Sequence, residues 1–468
     1  MSIPLGVVAS RRPKLSEYLL GIAGILQTIP TLALLVLMVP LLGGAIGFLP
    51  AFIALTLYSL LPILANTITG IRGIDPTLTE AARGLGMSDW QMLRRVQLPL
   101  AAPIILSGIR TATVLIVGTA TLATPVGGTS LGNYIFSGLE MNNNTWIVFG
   151  CVFTALFAIL LDQLVHLLEL AVARRNRRLA WIAAAGLSLV IVAGLYRPVA
   201  RLLEGPPDVV IASAPFTEQY ILSALMRMQL AEAGLSVDQR QGMGETIQFC
   251  ALQHGKIDCC VNYTGNIWVT QMKRTTEKDR GASREQIYAE TRDFLERQGI
   301  VCLGRVGFEN RYMLVMHRKH GITSIKQMAQ VKGLRIAGDR QFFARPEWMQ
   351  LRDTYQLAFS RTRSMDPSLI LPAIESDKVD VICAYSSDGR IDERFVVLED
   401  DERVLPAYDA VLLLSAKAAR KERLVAALRP LLGTLDDATM KSANAQVDTG
   451  KRSALAMAQE LYARVKGR

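Results

Sequence analysis

Five apolar runs in the first 196 residues, at about 18–42, 49–70, 100–124, 146–172 and 180–196, limit the folds open to this chain more than any other feature. Each is near the roughly 20 residues a helix needs to cross a bilayer. Backbone in lipid must satisfy its own hydrogen bonds, so the runs predict an all-α polytopic membrane domain in contact with a lipid bilayer. Basic residues occupy alternate connections: Arg11, Arg12 and Lys14; Arg83, Arg94 and Arg95; Arg174, Arg175, Arg177 and Arg178. The positive-inside rule puts these clusters in the cytoplasm and makes the loop near Gly43, the loop at 125–145 and everything after Tyr196 external. The formal net charge of +10 is then partly topological, which argues against nucleic acid as a partner. Met1–Ser10 is too short for a cleavable signal peptide, so the run from Trp181 to Leu195 is the expected export element.

Between the second and third runs lies a polar stretch, Asp75–Pro99, whose punctuation predicts two short helices. Asp75 is the expected N-cap with Pro76 at the first helical position, and Leu78, Ala81, Ala82 and Leu85 fall on one face while Glu80 and Arg83 face away. Gly86 suits a left-handed stop, Ser88 with Gln91 reads as a capping box, and Pro99 marks the turn into the next run. The plainer alternative is an interfacial helix that touches only headgroups.

Inside the third run, Gly118, Thr121 and Thr124 recur every third residue and are expected on one helix face, lining a solute path or packing closely against a neighbour. Arg110 lies about 16 Å along a helix begun at Leu100, so either the span starts later or Arg110 pairs inside the bundle. Asp162, His166 and Glu169 share a face toward the cytoplasmic end of their helix, where headgroup-level solvation is the expected explanation.

Residues 208–468 alternate between strand-like and helix-like segments, which predicts α/β architecture with a mainly parallel sheet. DVVIASA reads as a strand, Thr217 as the cap of a helix that stops at Gly234, and KIDCCV as a later strand. A second set begins near Tyr312, and the helices after Ala416 are expected to return to the first lobe. The predicted organisation is a membrane domain at 1–179 containing the loop at 75–99, an additional span and Pro-punctuated tether at 180–207, and a globular domain at 208–468. Its first lobe is expected at about 208–310 and 405–468, its second at about 311–404. Cys250, Cys259, Cys260, Cys302 and Cys383 show no metal-like spacing; an oxidising compartment would allow a disulfide whose pairing the sequence does not choose, and buried free thiols are the plainer reading. His254, His317 and His320 lack metal-like partners, and no cofactor is implied. The sequence contains neither a GxxxxGK[ST] nor a GxSxG run, so neither ATP hydrolysis nor hydrolase chemistry is expected of it.

Glu80, Ala81, Ala82, then Gly86, then Val96, Leu98 and Pro99 resemble the EAA loop of binding-protein-dependent ABC importers. IPLG at 3–6, QTIPTLALL at 27–35, LYSLLPILANT at 57–67 and GTATLATPVGGTSLGNYIF at 118–136 resemble the permeases of the osmoprotectant group, which take up glycine betaine, choline and related quaternary amines. Family permeases carry a further N-terminal span, of which Met1–Ser10 would be only the tail. APFTEQYI at 214–221, ALQHGKIDCCVNYTG at 251–265, GFENRYMLVM at 307–316, GDRQFFAR at 338–345, KVDVICAYSSDGRI at 378–391 and LPAYDAV at 405–411 resemble the same family's two-lobed periplasmic binding protein.

The resemblance implies an inner-membrane importer subunit with permease and solute receptor fused in one chain. Glu80, Ala81, Ala82, Arg83 and Gly86 would dock a separate cytoplasmic ABC ATPase, and five spans imply a homodimer. The solute would be a small osmolyte. A quaternary ammonium has no N–H to donate, so its recognition calls for aromatic faces. By resemblance these are Tyr263, Tyr312, Tyr385 and Tyr408. Thr217, Glu218, Arg345, Ser387 and Asp388 are further ligand-site candidates: Thr217 and Ser387 as donors to a carboxylate, Arg345 as a bridge between lobes, Asp388 with a turn cap as its plainer role. Two positions depart from the family pattern, Asn262 in place of an acid and Leu371 in place of a tyrosine. The competing readings are an importer for another small polar solute such as an amino acid, and a membrane-anchored solute sensor.

Overall fold

A computed structural model describes residues 2–140, 144–274, 279, 281–365 and 367–466. The chain forms two compact units, one of residues 1–135 with 148–206 and one of residues 207–468 with 136–147.

The first unit is helical. It begins with α1 (Ser2–Ser10), α2 (Pro13–Thr28) and α3 (Thr31–Leu41), followed by α4 (Phe48–Arg72). The run at 18–42 folds as a pair of helices, α2 and α3, bent by 97°. Pro30 explains the break, because the residue before a proline is driven out of the helical region and Ile29 is extended at φ −69°, ψ 126°. The Tyr58 hydroxyl on α4 donates to the freed Ile29 carbonyl, and Gln27 Nε2 donates to the Tyr58 carbonyl at 3.0 Å.

The polar stretch folds as its punctuation predicts. In α5 (Pro76–Gly84) the Asp75 side chain accepts from Thr77 N at 2.9 Å, and Gly86 follows at φ +74°. In α6 (Asp89–Met92) Ser88 and Gln91 form the reciprocal capping box. A π-turn at Leu93–Gln97 then carries α6 into α7 (Leu98–Ala120) without a break. The last turn tightens to a 3-10 segment at Thr121–Val126, whose three-residue period sets Thr121 and Thr124 on one face. The Thr121 hydroxyl caps the Gly118 carbonyl at 2.7 Å.

After α8 (Gly132–Glu140) come α9 (Asn144–Ala173) and α10 (Arg177–Glu204). The segment expected to be a tether from Pro198 is therefore helical as far as Glu204, and Gly205, at φ +86°, ends it. Among the described residues, four helices are long and apolar enough to cross a membrane, or five spans if the bent α2–α3 pair counts as one. Helix α7 packs along α4 so closely that a side chain at Gly108 would meet Asn66 Cβ and the Pro62 carbonyl at 2.6 and 2.7 Å.

The second unit carries two five-stranded sheets. The first contains β1 (Val209–Ala212), β2 (Val237–Arg240), β3 (Cys259–Tyr263) and β4 (Ile300–Glu309), the last followed by β5 (Tyr312–His317) in the second sheet. That sheet continues with β6 (Arg335–Gly338), β7 (Arg361–Ser364), β8 (Val381–Tyr385) and β9 (Phe395–Val397), and β10 (Asp409–Ser415) returns to the first. The orders are β2-β1-β3-β10-β4 and β7-β6-β8-β5-β9. Four strands of each sheet run in one direction, and a single strand, β10 in the first and β5 in the second, runs antiparallel to both its neighbours, so each sheet is mainly parallel with one reversed strand. The chain crosses between sheets twice, at Asn310–Arg311 and on the way back to Tyr408. The crossings are tied together where Asn310 N donates to the Tyr408 carbonyl at 3.0 Å.

Helix α11 (Thr217–Glu232) is the spine of the first lobe. Ile221, Leu222, Leu225 and Leu230 are buried in the same core as Leu424, Met440 and Leu461 of the C-terminal helices. All six cysteines are free thiols. Burial pushes the Cys260 thiol up to about 12, which keeps it protonated and inert.

Candidate functional site

The strand register brings two of the tyrosines together. Tyr312 opens β5 and Tyr385 closes β8, and the antiparallel pairing sets them directly opposite, with ring centroids 4.9 Å apart. Tyr408, on the return crossing, presents an edge to Tyr312 at 6.0 Å and an interplanar angle of 83°. Phe342 closes the other side of Tyr312 at 5.2 Å. The Tyr385 hydroxyl donates to Asp339 at 3.1 Å, and the same Asp339 caps the helix at Arg340–Ala344 through Phe342 N. Burial pushes the hydroxyl pKa values of Tyr312, Tyr385 and Tyr408 upward, so all three are neutral phenols with intact aromatic faces.

Arg345 lies across this cluster. Its guanidinium carbon is 5.4 Å from the Tyr312 centroid and 5.9 Å from that of Tyr408. It donates to the Tyr408 hydroxyl at 2.9 Å, to Asn266 Oδ1 at 3.1 Å and to Glu347 Oε1 at 3.0 Å. Asn266 belongs to the first lobe and Arg345 to the second, so Arg345 does bridge the two. Glu347 is 1% exposed and also accepts from the Tyr408 hydroxyl. Gly265 lies beneath the ring of Tyr408, where an added Cβ would sit 2.3 Å from Cδ2.

Tyr263 is placed in a second group. Its ring neighbours Phe216 at 6.2 Å, and its hydroxyl donates to Glu218. Glu218, 2% exposed, also accepts from Asn310 at 2.7 Å and Asn444 at 3.1 Å. Burial pushes its pKa up, opposed by the hydrogen bonds from Tyr263, Ser387, Asn444 and Asn310. Among these groups the donors to Glu218 are neutral.

Thr217 is not a helix cap. Phe216 occupies that position, and the Thr217 hydroxyl donates to Asp448 at 2.6 Å, which commits it within the protein. Asp388 takes the plainer of its two roles, accepting from Arg390 N at 2.9 Å and pairing with the Arg390 guanidinium at 2.7 Å. Asn262, where the family pattern has an acid, turns its side chain to Tyr263 N and Asn266. Leu371 is buried in the second lobe's core beside Met313 and Ile382. Asn266, Glu347 and Asp339 belong to the group and were missed by sequence reasoning. The Asp339 cap spacing was a usable signal, whereas Asn266 and Glu347 become visible only through Arg345. Among the described residues, no group of three His, Cys, Asp or Glu side chains could hold a metal ion.

In the polar stretch, Glu80, Ala81, Arg83 and Gly86 are exposed, whereas Ala82 is buried against its own unit. Leu85 is 78% and Trp90 67% exposed, so the face expected to pack inward is largely open, with Ala82 its buried member.

A membrane-spanning helical unit with a capped polar loop, joined to an α/β unit of two sheets with a buried aromatic cluster, defines a permease fused to a solute-binding domain. The chain belongs to the family of substrate binding domains of ABC-type glycine betaine transport systems, matched over residues 207–464, and residues 2–178 match the inner membrane component of binding-protein-dependent transport systems. Over 98% of its length it is 29% identical to the ergothioneine transport permease/ergothioneine binding protein EgtU of Helicobacter pylori (strain G27), 86% of which is covered. Its membrane half is 47% identical over 169 residues to the choline transport system permease protein OpuBB of Bacillus subtilis (strain 168), covering 36% of this chain and 77% of that protein. It is likewise 41% identical over 181 residues to the osmoprotectant import permease protein OsmW of Salmonella typhimurium (strain LT2), covering 38% and 84%. The chain is thus a multi-pass inner-membrane transporter subunit and not an enzyme, and its permease half implies an ATPase partner subunit.

Proposed function

We propose that this chain imports small zwitterionic quaternary amines, compounds that carry a tetraalkylammonium group and a carboxylate, as glycine betaine, carnitine and ergothioneine do. The observation that carries this reading is the Tyr312, Tyr385 and Tyr408 cluster with the Arg345 guanidinium on its faces. Aromatic faces suit a diffuse cation, each contributing about 0.5–2 kcal/mol, and a guanidinium fork suits a carboxylate. Tyr263, the buried Glu218 and Ser387 form the second group and are offered as a further part of the ligand site. The receptor domain works on the periplasmic side, the permease half assembles as a homodimer, and a cytoplasmic ABC ATPase docks on Glu80, Arg83 and Gly86.

Titration calorimetry of the full chain in detergent against glycine betaine, carnitine, ergothioneine, choline and simple amino acids tests the reading. Binding of compounds with both groups is expected, with choline, which lacks the carboxylate, weaker. Selective binding of an amino acid overturns it.

The Gly265–Tyr408 contact supplies a sharper check. Gly265→Ala is expected to push the Tyr408 ring out of place and to weaken binding about tenfold, the equivalent of one aromatic face. Full affinity in a folded Gly265→Ala chain would remove Tyr408 from the site.

A further inference from the structure

The sequence leads to an expectation that Asp162, His166 and Glu169 are solvated at headgroup level and leaves Arg110 with two explanations. The structure joins them. Arg110 on α7 grips Asp162 on α9 with a bidentate fork, Nη2 to Oδ2 at 2.7 Å and Nε to Oδ1. Its third nitrogen, Nη1, lies 3.3 Å from His166 Nδ1, and Glu169 Oε2 stands 3.4 Å beyond the same His166 atom. Arg110 is about 18 Å from the start of α7, and Asp162 about 17 Å from the end of α9, so the pair meets at matching depth within the two spans. A lone charge at that depth is costly, and pairing offsets the cost.

We infer that the Arg110–Asp162 pair is the pin that transmits movement of the cytoplasmic loop to α9, making both of them positioning residues for transport. The inference rests on the assignment of the loop at 75–99 as the ATPase dock, and on three features of the membrane unit. The loop's second helix, α6, runs through the Leu93–Gln97 π-turn into α7, one helical course from Asp89 to Val126, so displacement at the dock reaches Arg110 along a stiff element. Helix α4, the loop's other attachment, packs tightly on α7 at Gly108 and moves with it. Helix α9 is not continuous with the loop, and Arg110 reaches it at Asp162 and His166, one turn apart. Two grips spaced along one helix resist sliding as well as separation. The bidentate fork adds directionality that a single point charge lacks.

The test is uptake and ATP hydrolysis by the full complex in proteoliposomes, read as ATP consumed per solute imported. Arg110→Gln and Asp162→Asn are each expected to lower uptake at least tenfold while hydrolysis continues, so that the ratio rises. The charge-swapped chain, Arg110→Asp with Asp162→Arg, is expected to bring the ratio back toward that of the unaltered complex. Wild-type uptake in the single variants overturns the inference, as does reduced uptake at an unchanged ratio, which reports only less assembled complex. An assembled swapped chain with the ratio of the single variants also overturns it. Where the swapped chain fails to assemble, the ratio in the single variants decides. Two controls separate this from failure of the docking assignment: the ATPase must still co-purify with each variant, and calorimetry must show unchanged ligand capture.

Discussion

Gly86→Trp is expected to abolish uptake, by more than about a hundredfold, while the binding domain captures ligand as before. Gly86 adopts φ +74°, which a side chain disfavours by about 1 kcal/mol, a cost a local turn can absorb. The larger effect is steric. A Cβ at Gly86 meets nothing within 4 Å, so an indole there projects outward, over the face where Leu78, Leu85 and Trp90 lie exposed. Exposed apolar side chains grouped on a capped polar loop are the character of a protein interface. Blocking that face is expected to displace the ATPase proposed to dock there without disturbing the unit's own packing. Gly86→Ala adds the backbone strain without the bulk and is expected to retain most uptake. Glu80→Ala should weaken docking less severely than Gly86→Trp. Proteoliposome uptake and co-purification of the ATPase measure both effects, and full uptake by Gly86→Trp would place the dock elsewhere.

Arg345→Met is expected to cost about 3–5 kcal/mol of binding-domain stability, because it strands the Glu347 carboxylate, 1% exposed, without its cation. Replacing both members, Arg345→Met with Glu347→Leu, is expected to recover most of that loss, since an apolar pair of similar volume no longer leaves a buried charge unpaired. Ligand affinity should not recover in the double variant, which lacks the guanidinium proposed to meet the carboxylate. Thermal unfolding followed by calorimetry separates the two effects. Equal stability in the single and double variants would mean that Glu347 is not held by Arg345.

Local chemistry was the most legible part of this chain. The Asp75 cap, the Gly86 stop and the Ser88–Gln91 box each depend on residues within four positions, and each forms as its spacing dictates. Pro30 carried the signal for the α2–α3 break, yet the length of the apolar run outweighed it in the reading. Family motifs brought Tyr312, Tyr385 and Tyr408 together before the fold was known, and the register of β5 on β8 supplies the physical reason for the first two. Long-range polar pairs were not legible. Arg110 and Asp162 stand 52 positions apart, and Glu218 gathers partners from 45 to 226 positions away, distances at which no periodicity speaks. Thr217 shows the opposite failure, a residue of the right type for a cap whose hydroxyl a distant Asp448 claims instead.

Helix α10 runs from the turn at Asn176 to Glu204, only a few residues before β1, so the binding domain and the permease are synthesised one for one. Through this chain a cell cannot raise the number of binding domains without raising the number of permeases by the same amount. Its intake responds to external supply through occupancy of a fixed number of tethered traps, and rises further only when more whole importers are made.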